Sequence, residues 1–91
     1  MQQAMTEPKT GELHISSAVV FVRPEYLQAV CREIEWMSGC EIFTHSSEGK
    51  IVIITETSSS QQISQVLRQI EDLSGVLSAQ MVYHQIESLE D

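Results

Sequence analysis

The chain repeats itself at a fixed offset of 36 residues, and that repeat constrains the fold more than any other feature. The segments Arg32–Gly39 (REIEWMSG) and Arg68–Gly75 (RQIEDLSG) agree at five of eight positions. Upstream of each exit, Leu27, Val30, Cys31, Ile34 and Met37 recur at the same offset as Ile63, Val66, Leu67, Ile70 and Leu73. Spacing of i, i+3, i+4, i+7 and i+10 is the apolar stripe of an amphipathic helix. Pro24 stands where a first helical turn tolerates proline. Ser58 with Gln61, or Ser59 with Gln62, offers a capping box to the second helix, and Gly39 and Gly75 supply left-handed stops. Around the helices lie runs rich in β-branched and aromatic residues at 13–22, 40–46, 50–56 and 76–85, read as strands. Ser46-Ser47-Glu48-Gly49 reads as a hairpin loop between the middle two.

The resulting order is βαββαβ, two βαβ units in tandem. This is the α+β, ferredoxin-like split βαβ fold. Right-handed crossovers then give a four-stranded antiparallel sheet in order 4-1-3-2 with two helices on one face. The expected domain spans 13–86, between a flexible N-terminal tail, 1–12, and a flexible acidic C-terminal tail, 87–91.

Alternation sorts the strand residues into faces. Ser16, Ala18, Val20, Val22, Ile51, Ile53, Ala79, Met81 and Tyr83 are expected under the helices. The bare face takes Ile15, Ser17, Val19 and Phe21 of the first strand, Val52 and Ile54 of the third, and Gln80, Val82 and His84 of the fourth. Phe43 and His45 join them from the second. A one-sided antiparallel sheet in water reads polar on its outer face, whereas both registers of the two central strands here are largely apolar. An apolar face rimmed by polar residues marks a partner site, and Glu41 and Glu56 flank this one. Such a face suits a partner that is apolar in its body and cationic at one end. A second copy of the chain, or the chain's own tails, would also cover it.

Composition narrows the choices. Thirteen Asp and Glu against five Lys and Arg leave a net charge of −8 among 91 residues, which argues against nucleic acid and anionic membranes. A middle strand reading Lys50-Ile-Val-Ile-Ile has no stacking aromatics for RNA. The chain contains no asparagine, so an acylphosphatase-like arginine–asparagine site is excluded. A paired-cysteine copper loop is absent before the first helix, where Val22-Arg23-Pro24 stands. Cys31 falls on the helix stripe, and Cys40 reads as a buried strand-start thiol. His14, His45 and His84 show no metal-ligand spacing, so neither metal, cofactor nor catalytic residues are expected. Tyr83 reads as core, and Trp36, off the stripe, as a cap on the core edge. The first residues lack the basic and apolar regions of an export signal, which points to the cytoplasm.

Ser16-Ser17-Ala18-Val19-Val20, Gly39-Cys40-Glu41, Gly49-Lys50-Ile51-Val52, Gly75-Val76-Leu77-Ser78-Ala79 and Val82-Tyr83-His84-Gln85 together resemble the NapD family, from about residue 13 to 86. The resemblance implies a cytoplasmic chaperone that binds the twin-arginine signal peptide of the periplasmic nitrate reductase catalytic subunit precursor, NapA. It implies that export through the Tat pathway is delayed until cofactor insertion and folding are complete, with no chemistry by the chaperone itself. On this reading the peptide docks on the bare face through Ile15, Ser17, Val19, Phe21, Phe43, Val52, Ile54, Val82 and His84. Glu41 and Glu56 meet its arginines. The protein would be a monomer or weak homodimer. The competing reading is an ACT-like small-molecule regulatory or dimerisation domain, whose glycine-rich ligand loop after the first strand is replaced here by Arg23-Pro24-Glu25.

Overall fold

A computed structural model describes residues 11–88 of the chain. The strands are β1 (Glu12–Val22), β2 (Cys40–Ser46), β3 (Lys50–Thr57) and β4 (Val76–Ser88). The helices are α1 (Leu27–Glu35), entered through a 3-10 turn at Pro24–Tyr26, and α2 (Ser60–Glu71). The strands form one antiparallel sheet in order β2-β3-β1-β4, as the repeat requires. β1 starts at Glu12 and β4 continues through Glu87 to Ser88, past the expected 13–86 limits on both sides. The remainder of the expected tails, 1–10 and 89–91, lies outside the described residues.

Both helices bury the stripes read from the sequence. Leu27, Val30 and Ile34 of α1 and Ile63 and Ile70 of α2 are buried. All but Ile63 close a single core with Ala18, Val20, Val22, Ile51, Ile53 and Ala79. Cys31, Met37, Val66, Leu67 and Leu73 pack at its margin. Ser59 caps α2 by accepting from the Gln62 N–H at 3.2 Å, while the Gln62 side chain reaches the Ser58 N–H at 2.9 Å. The box is therefore spread over two serines.

Each helix exit is fastened to the other half of the chain. Gly39, at φ +80°, accepts the Glu56 N–H through its carbonyl, and Gly75, at φ +88°, accepts the Arg23 N–H. A Cβ on Gly75 would stand 2.2 Å from the Tyr26 ring. Only glycine fits there, for its positive φ and for the space.

Two elements depart from simple alternation. β4 has 13 residues opposite the 11 of β1, and the ladder skips Leu77 and Val82. β2 is bulged at Phe43. An inserted residue reverses which face the following side chains take. Beyond Val82, His84 pairs with Ser16 and Tyr83 with Ser17. Tyr83, expected in the core, is therefore on the bare side and 56% exposed, while His84, expected on the bare side, lies beneath the sheet with the helices. His45 likewise pairs with buried Ile51 and lines a cleft with Leu27, Cys31 and Glu35 of α1, not the bare face. Met81 has the expected face, but at the sheet edge it stays 45% exposed, and Trp36 caps nothing, being 83% exposed.

Candidate functional site

The helix-free face is built from cross-strand neighbours, which share a side of a sheet. At its centre Val19 pairs with Val52, and one row further Ser17 pairs with Ile54. Phe21 pairs with Lys50 at one end, and Ile15 with Glu56 at the other. From β2, Glu41 pairs with Ile54 and Thr44 with Val52. Every one of these side chains keeps part of its surface accessible. Among the described residues no element covers the face that alternation identified as apolar.

Its charge is polarised. Lys50 stands at the Phe21 end, while Glu41 and Glu56 bracket Ile54 at the opposite end, together with Gly39 and Cys40, around a cleft of about 320 Å³. Glu56 lies six residue steps along β3 from Lys50, a span of about 20 Å at ~3.3 Å per residue. Among the described residues neither carboxylate has an ion-pair partner. An acidic cleft beside an apolar row attracts a cation attached to an apolar chain.

Of the eleven side chains expected on this face, Ile15, Ser17, Val19, Phe21, Glu41, Val52, Ile54 and Glu56 are there. Phe43 and Val82 occupy the bulges, exposed at 69% and 61%. His84 lies on the far side. The β4 contribution comes instead from Gln80, Tyr83 and Gln85, paired with Val19, Ser17 and Ile15. Tyr83 and Gln85 escaped the sequence reading because a bulge is a choice made between strands. No local signal marks it, since the runs read as first and last strand, 13–22 and 76–85, are equal in length.

The Tyr83 hydroxyl donates to Gln85 Oε1 at 3.0 Å, and Gln85 Nε2 donates to Glu87 Oε2 at 2.8 Å. These alternate residues form a hydrogen-bonded strip along the bare side of β4. On the opposite side His14, 5% exposed, places Nε2 3.2 Å from Glu12 Oε1 and Nδ1 3.0 Å from His84 Nε2, with the two rings stacked.

Neither thiol has the surroundings of a nucleophile. Burial first, and Glu35 second, push the Cys31 thiol up, and burial pushes Cys40 up. Among the described residues no three His, Cys, Asp or Glu side chains are grouped to hold a metal.

Comparison with known proteins gives one consistent result. The family model described as NapD protein matches residues 13–88. A chaperone NapD of Paracoccus pantotrophus is 39% identical over 75 residues, covering 81% of this chain. The chain spans 65% of that relative's length. A chaperone NapD of Escherichia coli K12 is 26% identical over 74 residues, covering 80% of this chain and 85% of the relative. The solution structure of the E. coli Tat proofreading chaperone protein NapD matches with a TM-score of 0.73 at 24% identity, over 80% of this chain and 78% of that one, which shows a shared fold.

Proposed function

Because the chain belongs to the NapD family, we propose that it is a chaperone for a Tat substrate, binding the twin-arginine signal peptide of the nitrate reductase catalytic subunit precursor, NapA. Binding withholds the peptide from the export machinery until cofactor insertion and folding are complete. The work is sequestration, performed in the cytoplasm, where the precursor is made; among the described residues no helix is long and apolar enough to cross a membrane.

The observation that carries this reading is the accessible apolar row Val19–Val52 running into the acidic cleft at Glu41 and Glu56. A twin-arginine peptide has a cationic front and an apolar body. Laid on the face as an amphipathic helix, its arginines belong at the cleft and its apolar side over Ile54, Val52, Val19 and Phe21. The roughly 20 Å between the two ends accommodates about 13 helical residues at ~1.5 Å each. The reverse orientation would set arginines against Lys50. Apolar burial supplies most of the affinity, at roughly 25 cal/mol per Å² before association costs, and the carboxylates guide encounter and direction.

The test is a pull-down of the precursor from the cytoplasm, with and without its signal peptide. Capture of the intact precursor and loss on removal of the peptide is the expected result; equal capture of both forms refutes it.

A further inference from the structure

The bulge at Val82 decides which β4 side chains reach the exposed face, and the side chains that would notice an error lie underneath. Glu12, an acceptor when ionised, faces His14 Nε2, so that nitrogen donates and Nδ1 is left to accept. Among the described residues the group in position is His84 Nε2, 3.0 Å away. His14 is 5% exposed, so water does not readily replace this partner. Without the bulge, Val82 would pair with Ser17 and Tyr83 with Ser16. His84 would then face solvent on the other side, and a buried ring nitrogen would lose its hydrogen bond, an arrangement that folded proteins avoid.

We propose that the hydrogen-bonded chain Glu12–His14–His84 fixes the phase of β4 beyond Val82. His84 is thus a positioning residue, and Tyr83 and Gln85 are its consequence on the exposed face, as contacts for the bound peptide. The contact half of this inference rests on the docking reading; the phase half does not. The geometry above the sheet agrees with the geometry below it. Tyr83, Gln85 and Glu87 are linked in series, and they stand on the bare side because Tyr83 pairs with Ser17 and Gln85 with Ile15, the same parity that places His84 against His14.

The decisive variant exchanges the two neighbours, Tyr83→His with His84→Tyr, in the full chain. A histidine at position 83 can reach His14 with no inserted residue. Cross-strand NMR contacts should therefore move, with Ser17 opposite Val82 where the wild type has Ser17 opposite residue 83. Retention of the bulge in the exchanged protein overturns the phase lock. If that variant does not fold, His84→Leu serves: the amides of residues 83–86 should show two sets of resonances or a shifted ladder. A single set with wild-type contacts overturns the proposal.

Calorimetry with a synthetic twin-arginine signal peptide reads the contact half. Tyr83→Ala should bind about tenfold more weakly, as expected for truncation of an interfacial tyrosine. Unchanged affinity in Tyr83→Ala with the wild-type ladder overturns the contact assignment. Failure of the wild type to bind refutes the docking reading instead, and leaves the NMR result standing.

Discussion

Val52 and Ile53 are consecutive residues of β3, and substitutions at the two should fail in different assays. Val52 is half-buried on the exposed face opposite Val19, while Ile53 is 0% exposed in the core. Burying a whole valine side chain is worth about 1.5–3 kcal/mol. A peptide can remove only the remaining part of Val52 from water, so Val52→Ala should cost about 1 kcal/mol of affinity, roughly fivefold. Val52→Glu adds the penalty of desolvating a carboxylate against an apolar partner, at least ~2 kcal/mol. The loss is then about 100-fold or more, even though the new charge favours encounter with arginines. In the unbound protein that carboxylate reaches water, and the melting temperature should move by no more than a few degrees. Ile53→Ala leaves a core cavity costing ~2–5 kcal/mol, which lowers the melting temperature by about 10 °C or more, while any protein that remains folded binds normally. Calorimetry with the synthetic signal peptide and thermal melts by circular dichroism read the two effects. Wild-type affinity in Val52→Glu, or a large fall in its melting temperature, would refute the placement of the partner on this face.

The remaining expectations concern the cleft, the joints and the thiols. Glu41→Gln with Glu56→Gln should weaken peptide binding about tenfold or less and flatten its salt dependence, measured by titration at two ionic strengths, since exposed charges are screened. Gly75→Ala, forced to a φ of +88° with its Cβ against the Tyr26 ring, should destabilise the fold by at least ~2 kcal/mol in a denaturant titration. Ser59→Ala removes the α2 cap and should cost about 1 kcal/mol. Cys31 and Cys40 have their thiol pKa raised above the ordinary 9.0, so at pH 8 iodoacetamide should label them more slowly than an unfolded control. Because the unfolded thiols ionise first, stability should decline as pH rises past about 9.

What could be read without coordinates was whatever a short stretch of chain decides by itself. The stripes of α1 and α2, the stops at Gly39 and Gly75 and the hairpin at Ser46–Gly49 each depend on residues a few places apart, and the strand order follows from topology once those are known. The faces of β1 and β3 were legible because their pairing is unbroken from His14 opposite Thr57 to Phe21 opposite Lys50. β2 and β4 were legible only up to their bulges. Nothing within Phe43 or Val82 announces an inserted residue; the insertion is decided by what lies across the ladder and beneath it. For β4 that is a histidine 70 residues away.

The two amide-to-carbonyl bonds at Gly39 and Gly75 have a bearing on how the molecule could be divided. Each half offers an acceptor that is filled only by the other, so a fragment ending near Ser47 or beginning near Glu48 carries an unmet demand and should be unstructured alone. Mixed together, the two pieces have reason to recognise one another, and a break in the Ser46–Gly49 loop becomes a seam for a split reporter whose reassembly restores the whole sheet.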